Sequence, residues 1–492
     1  MKPVVICNTY FLHLDPKQER RMEPYPPLGT LYAAAVLREK GYDIHFFDTI
    51  FCSGPEAIFN TLSKFQAGIF IICDDGFNYL TKMCLVNMRE ACSAMIKKAK
   101  EEGFTILVSS SDATDHWQDY LNVGADAIVI GEPEQTIAAC VDALQHENPA
   151  LNTIEGLGLR TTTGFAKTPA RALMQDLDNL PLPAWDLIDM DQYRSRWMAH
   201  SGYFSINMTT TRGCPFKCNW CAKPIYGNRY HSRSAKAVAD EINLLRNTYQ
   251  VEHIWFCDDI FGLKPNWINS FAGLMQEQPI PFKIQCRADL LLDENNIQSL
   301  AGAGCDEVWI GAESGSQKIL DAMDKGTTIA QITESSRLMY RSGIKPCFFL
   351  QFGYPGETLT DIKSTMQLLR NCKPYDIGIS ISYPLPGTVF YDRVFAQLSN
   401  KQNWNDSDEL LMMYHGTYSA AFYKYLHRYV HRRFRMLQGM KCIREIFSGK
   451  RNTTSPPLKR LFALPIHSVL CLYYFLMVQT KKQPVSELQV AS

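Results

Sequence analysis

The sequence predicts an α/β protein: an N-terminal doubly wound domain, then a partial (β/α)6 barrel, then a helical C-terminal region. Three observations carry this. Across residues 1–148, short apolar runs alternate with longer stretches of 3.6-residue period. From 201 to 395 the same rhythm returns in six consecutive strand–helix units, the pattern of a barrel with its site at the strand C-terminal ends. Beyond 396 the alternation stops. At 492 residues the chain exceeds one ordinary core, so separate domains are expected at 1–148, 201–395 and 396–492, with 149–200 as a linker.

In the first domain the strand candidates are Val4–Cys7, Tyr42–Phe47, Ala67–Cys73, Phe104–Val108 and Ala125–Ile130. Helical patterns at Thr30–Lys40, Tyr79–Lys100 and Glu134–Leu144 separate them. Such sheets bind ligands outside the strand carboxyl ends. The loops there are Pro26–Gly29, Asp74–Phe77, Ser109–Thr114 and Gly131–Glu134. Leu180-Pro181-Leu182-Pro183-Ala184-Trp185 is punctuated by proline and reads as an inter-domain strap. Barrel strands are expected at Phe204–Thr209, His253–Cys257, Phe282–Cys286, Glu307–Ile310, Lys345–Phe352 and Ile377–Tyr383, with helices such as Ala235–Tyr249 and Ile329–Ser342 between them. In the C-terminal region, His415–Arg435 is helical in pattern and Gly449–Pro457 is a polar break.

Hydrophobic residues at 46% and charged residues at 20% describe a folded globular chain. Lys+Arg and Asp+Glu are each 50, so no net field favours nucleic acid, and a small-molecule substrate is expected. Most of the sixteen cysteines, among them Cys7, Cys73, Cys140, Cys305 and Cys347, stand singly in apolar runs and read as reduced, buried thiols. The N-terminus shows no signal-peptide pattern, and the cytoplasm is the expected compartment.

One cysteine group is tightly spaced: Thr210-Thr211-Arg212-Gly213-Cys214-Pro215-Phe216-Lys217-Cys218-Asn219-Trp220-Cys221. Three soft thiolates suit an iron–sulfur cluster or zinc. Structural zinc wants a fourth ligand nearby, and His231 is the only near candidate. A zinc-binding scaffold without turnover is therefore the rival reading from another class.

A CxxxCxxC segment after a strand, with an aromatic before the third cysteine, resembles the radical S-adenosylmethionine (SAM) superfamily. The resemblance implies a 4Fe–4S cluster on Cys214, Cys218 and Cys221, SAM bound at the open iron, and reductive cleavage of SAM to a radical that abstracts hydrogen. It places Trp220 near the adenine. Asp258 and Asp259 fall where the family binds the SAM amino group, and Arg287 where a guanidinium could pair with the SAM carboxylate. Glu313 would accept from the ribose hydroxyls, Ser314 would touch the carboxylate, and Gly353 would let backbone approach the cofactor. A reducing donor such as flavodoxin or ferredoxin is implied as partner.

A doubly wound, Rossmann-like domain ahead of that barrel resembles the cobalamin-binding class of the superfamily. The resemblance rests on Pro26-Pro27-Leu28-Gly29, Gly41–Asp48, Ala125–Glu134 and the strap. It implies cobalamin contacts from Pro27, Leu28, Gly29, Ser109, Ser110, Gly131, Glu132 and Glu134. The sequence departs from that class in having no Asp-x-His-x-x-Gly, and in Ser109-Ser110-Ser111 where paired glycines are usual.

Tyr383–Thr388, Asn403–Asp408 and Met412–Tyr418 are similar to the branch containing the anaerobic magnesium-protoporphyrin IX monomethyl ester oxidative cyclase. The implied outcome is cyclase-like C–H oxidation, with cobalamin-dependent C-methylation as the alternative. His415, His427 and His431 could face a substrate there, although histidines on a helix are more often surface or core residues. Leu461–Val478 is 18 residues long and nearly uncharged, between Lys459-Arg460 and Lys481-Lys482. The preferred reading is a helix packed over the barrel, with peripheral membrane contact through 461–478 as the second.

Overall fold

A computed structural model describes residues 1–65, 67–77, 82–146, 149–398, 401–448 and 457–484, without the side chains of 457–459. The sequence-predicted helix start at Tyr79 and most of the polar break at Gly449–Pro457 lie outside the described residues.

The first domain is a seven-stranded sheet of β1 (Val4–Cys7), β2 (Ile44–Phe47), β3 (Ile69–Cys73), β4 (Thr105–Ser109), β5 (Ala127–Val129), β6 (Leu157–Thr161) and β7 (Gly164–Lys167). Its order is β2-β1-β3-β4-β5-β6-β7. The first five strands are parallel. Side-chain alternation explains why both faces are covered: Val4, Ile6, Ile69 and Ile71 join one apolar cluster, while Val5, Cys7, Phe70 and Ile72 join the other. Helices α1 (Leu28–Glu39), α2 (Val86–Glu101) and α3 (Pro133–Leu144) supply the covering.

The sheet continues past the expected boundary at 148. Strands β6 and β7 add an antiparallel edge beyond β5. Their pattern is weak because only Leu157–Leu159 turn into the core, and Phe165 alone of β7 is even partly buried. The proline-punctuated segment Leu180–Trp185 touches both domains. Ala184 N–H donates to Leu31 O (3.2 Å), and Trp185 Nε1 donates to Glu241 Oε1 (3.1 Å), so one segment grips both domains. Helix α4 (Met190–Ser201) adds Tyr193, whose hydroxyl donates to Asp48.

The second domain is an open half-barrel of six parallel strands: β8 (Ser205–Met208), β11 (His253–Phe256), β12 (Phe282–Cys286), β13 (Cys305–Glu313), β14 (Lys345–Phe352) and β15 (Asp376–Ile381). A small antiparallel pair, β9 (Thr211–Arg212) and β10 (His231–Ser232), brackets the cysteine segment. The intervening helices start on side-chain caps: Ser234 on α5 (Ala235–Tyr249), and capping boxes at Thr328 on α6 (Ile329–Arg341) and Thr358 on α7 (Leu359–Cys372).

The C-terminal region opens with a segment that reaches back across both domains. Val86 N–H donates to Trp404 O (2.8 Å), Arg89 to Asn403 Oδ1 (2.8 Å), and Ser407 Oγ to Asp15 (2.8 Å). Helix α8 (Ala420–Phe447) then packs on β15, and α9 (Pro457–Thr480) folds back along α8. The expectation that the apolar segment is a packed helix holds for one face only. Its stretch Arg460–Thr480 is long and apolar enough to cross a membrane, and only 6% of its most apolar window is buried.

Candidate active site

Strand β8 runs into Thr209-Thr210-Thr211, and the carboxylate of Asp258, at the end of β11, fixes that turn. Asp258 Oδ1 accepts from Thr209 Oγ1 (2.9 Å), Thr210 N–H (2.7 Å) and Thr211 N–H (2.8 Å), while Oδ2 accepts from Thr210 Oγ1 (2.6 Å). Asp258, expected to accept from the SAM amino group, is buried here and accepts from four donors of Thr209–Thr211. Asp259, the other half of the pair, meets Lys82 Nζ of the first domain at 2.7 Å.

After the turn the chain must bend sharply. Gly213 does so at φ +76°, where a Cβ would lie 2.4 Å from Arg229 O. The loop beyond it carries Cys214, Cys218 and Cys221, all half-buried. Asn219 pins it from inside: its Nδ2 donates to Ala322 O and Asp324 Oδ2 (2.8 Å each), and its Oδ1 accepts from Tyr354 (2.7 Å). Lys223 Nζ donates to Cys214 O (3.1 Å) and to Phe216 O. Neither Asn219 nor Lys223 stood out in the sequence, since their partners are backbone carbonyls or distant side chains.

Three features fit these residues to a thiolate-bound cluster with a polar ligand. Burial raises the Cys214 thiol and pushes Cys221 up to about 12, so thiolates here require a cationic partner. Trp220 Nε1 is a buried donor with no acceptor. Arg287 lies 3.9 Å from Cys218 Sγ through Nη1, and its guanidinium stacks 3.8 Å over Phe216. Among the described residues no three His, Cys, Asp or Glu side chains converge on a single ion.

Glu313 sits at φ +53°, buried, and binds Lys325 Nζ at 2.8 Å. Lys325, which the sequence reading missed, lies 5.9 Å over the Trp220 ring. Gly311 leaves the room: a Cβ there would be 2.5 Å from Lys325 Nζ. Two other predicted contacts are used elsewhere. Ser314 Oγ faces Thr365 Oγ1 (3.2 Å) and accepts from Ser316 N–H (3.2 Å). Gly353 admits a side chain of the tail, Met412, whose Cε lies 2.3 Å from where a Cβ would be.

The loops proposed for cobalamin turn out to be occupied largely by protein contacts. Pro27 is the N-cap of α1, Leu28 is fully buried, and Gly29 N–H donates to Asp75 Oδ1 (3.2 Å). Ser109 O accepts from Asp74 N–H (2.8 Å), and Ser110 Oγ caps a short helix through Ala113 N–H (2.8 Å). Gly131 turns at φ +88° beside Ile225. Glu132 accepts from Met174 N–H (2.6 Å), and Glu132 and Glu134 both grip Arg212, at 3.3 and 2.5 Å respectively. Ser111 Oγ and Thr136 Oγ1 remain at that edge as buried hydroxyls without partners. Of the histidines, His415 is exposed, His427 is buried and His431 is half-buried, the last two with rings 4.6 Å apart and with desolvation lowering the pKa of each.

Three thiols on a pinned loop at the mouth of a parallel half-barrel are a ligand set that suits an iron–sulfur cluster. Residues 208–369 match the family model of the radical SAM superfamily, so the chain carries a radical SAM domain. An uncharacterised methyltransferase of Pyrococcus horikoshii is 27% identical over 387 residues, covering 77% of this chain and 81% of that one. The anaerobic magnesium-protoporphyrin IX monomethyl ester cyclase of Rubrivivax gelatinosus is 25% identical over 393 residues, covering 77% and 67%. Among solved structures, the cobalamin-dependent SAM radical enzyme OxsB superposes with TM-score 0.71 over 97% of this chain and 72% of that one, at 16% identity. The radical SAM methyltransferase TsrM of Kitasatospora setae, with cobalamin and a 4Fe–4S cluster bound, gives 0.65 over 80% and 74%, at 17% identity. At these identities the structural likeness is one of fold.

Proposed function

We propose that this enzyme uses a 4Fe–4S cluster, SAM and cobalamin to functionalise an unactivated C–H bond of a small molecule, by methyl transfer. The observation that carries the reading is the cysteine triplet held over the half-barrel mouth by Asp258 and Asn219, beside the carboxyl edge of a doubly wound sheet. When bound, these groups supply reductive cleavage of SAM, hydrogen abstraction and a methyl carrier.

The chain's own residues hold and orient. Cys214, Cys218 and Cys221 would bind the cluster. Arg287 sets a positive charge beside Cys218, and Trp220 Nε1 offers a free donor to the SAM ligand. The Glu313–Lys325 pair fixes charge beneath the Trp220 ring. For cobalamin the support is the strand-end location and the unpartnered hydroxyls of Ser111 and Thr136, donors that suit its amide- and phosphate-bearing periphery.

Methyl transfer is preferred because the P. horikoshii relative and TsrM are both named methyltransferases. Cyclase-like oxidation stays as the second reading, favoured by the R. gelatinosus cyclase aligning over 77% of this chain. The electron donor would be a small reducing protein such as flavodoxin or ferredoxin.

The test begins with anaerobic purification with cobalamin supplied, then iron, sulfide and cobalt analysis of wild type and the Cys214→Ala/Cys218→Ala/Cys221→Ala variant. Iron and sulfide should vanish in the variant while cobalt stays. With reductant, a methyltransferase forms S-adenosylhomocysteine as well as 5′-deoxyadenosine, whereas the oxidative route forms only the latter. A wild type that carries zinc and never cleaves SAM defeats the proposal.

A further inference from the structure

The two C-terminal helices concentrate positive charge in a neutral chain. Between residues 420 and 484 the sequence has thirteen Lys and Arg but one acidic residue, Glu445. On the same hairpin, α9 has two unlike faces. One packs on α8: Leu464 lies against Gly439, Tyr474 meets Tyr425 at 6.4 Å, and Phe475 meets Tyr429 at 5.7 Å. The other face carries Phe462, Ile466, Val469, Leu472, Tyr473 and Leu476, exposed between 49% and 79%. A contiguous apolar strip of that size on a folded protein marks a contact surface.

We propose that this strip docks the enzyme on an anionic lipid bilayer, with α9 lying in the plane of the interface. Charge complementarity selects the occupant. An apolar stripe set in a basic surround matches acyl chains below anionic headgroups. A second copy would bring two strongly basic hairpins together, which like-charge repulsion opposes. Geometry selects in-plane over spanning. Helix α9 lies along α8, which carries Arg428, Arg432, Arg433 and Arg435 and is fastened to the barrel through Arg435–Asp376 (2.9 Å) and Gln438 Nε2 to Tyr375 O (2.8 Å). A spanning α9 would draw that arginine-rich helix into hydrocarbon or strip its own packed face from it. Pro465 inside α9 and the Arg432–His467 contact at 3.2 Å also belong at an interface rather than a bilayer centre.

Flotation of the full-length, iron-loaded protein with phosphatidylcholine vesicles and with phosphatidylcholine–phosphatidylglycerol vesicles tests this. Binding is expected to the anionic vesicles, weakened at high salt, and reduced roughly tenfold or more by Phe462→Ser/Val469→Ser/Leu472→Ser and by Lys481→Glu/Lys482→Glu. Iron content and circular dichroism of each variant confirm that it folds. Resistance of the wild type to alkaline-carbonate extraction from natural membranes would indicate a span and overturn the in-plane placement. Failure to float with anionic vesicles overturns lipid docking, and a dimer by light scattering that the serine variant dissociates would then assign the strip to a second copy.

Discussion

Arg212, two residues before the first cysteine of the triplet, is held by Glu134 of the other domain: Nη2 meets Oε1 at 2.5 Å and Nη1 meets Oε2 at 3.2 Å, with both side chains about 2% exposed. Glu132 adds a contact at 3.3 Å, and the rings of Tyr32, Phe77 and Tyr226 stand 5.2–5.6 Å from the guanidinium. The acidic residues at the carboxyl end of β5 thus clamp the strand that leads into the cysteine loop. Position of the loop and docking of the two domains are one interaction.

That arrangement predicts non-additive energetics. Arg212→Met leaves Glu134 buried and unpaired and should cost about 3–5 kcal/mol, with loss of bound iron. Arg212→Met with Glu134→Met should cost much less than the sum of the single changes. Denaturant unfolding of the four proteins of the cycle measures the coupling. Additive losses would mean that the clamp carries no energy.

Asp258 gives a second prediction. If it held the SAM amino group, Asp258→Asn would weaken SAM binding and leave the cluster in place. Its four donors from Thr209–Thr211 predict the reverse. The amide cannot accept at both ends, so the Thr210 hydroxyl proton loses its acceptor at a cost of about 1–3 kcal/mol. Iron should be lost faster to a chelator, while SAM affinity of the iron-loaded fraction, measured by equilibrium dialysis, changes little.

The strands and the triplet were legible because their signals are local. Val4–Cys7, Phe282–Cys286 and Lys345–Phe352 are strands at the predicted bounds: the first and third are largely apolar runs buried on both faces, and the second alternates, with Lys283 and Gln285 on the half-buried face. The partners of polar residues were not legible. Glu134 and Arg212 are 78 residues apart, and Glu313 finds Lys325 only because β13 and the turn after its following helix come together. For the same reason Asp258, Ser314 and Gly353 carried family-like patterns whose contacts here lie within the protein. The edge strands β6 and β7 escaped because a half-exposed hairpin at the sheet margin needs few apolar residues.

The Glu313–Lys325 pair predicts a separation of cluster loading from turnover. Glu313→Gln keeps the shape and leaves Lys325 Nζ without its counter-charge beside Trp220. Iron and sulfide should match wild type. Formation of 5′-deoxyadenosine should fall roughly 10²-fold, as for loss of one preorganised electrostatic contact. Equal turnover would remove the pair from the site.

Glu357 predicts how stability depends on pH. It is fully buried in the turn between β14 and α7; Oε2 accepts from Gly353 N–H at 2.7 Å, and Oε1 has no partner. Burial raises its carboxyl to about 8. The folded protein therefore keeps a proton that the unfolded chain releases near pH 4.5, the ordinary value of the group. Where the folded state binds more protons, stability falls as pH rises, so this contribution is complete below about 4.5 and gone above about 8. Between pH 6 and pH 9 the loss is on the order of 3 kcal/mol at most. Glu357→Gln supplies a neutral side chain of the same shape, with an oxygen for Gly353 N–H. Its unfolding midpoint should fall less than that of wild type between pH 6 and pH 9, and the two curves should converge toward the acid end. Parallel curves would mean that Glu357 is ionised in the folded protein and that its free oxygen has found a donor. Asp74 and Asp75, which burial raises to about 6, titrate mostly below this window, so the difference between the two proteins above pH 7 reads Glu357 itself.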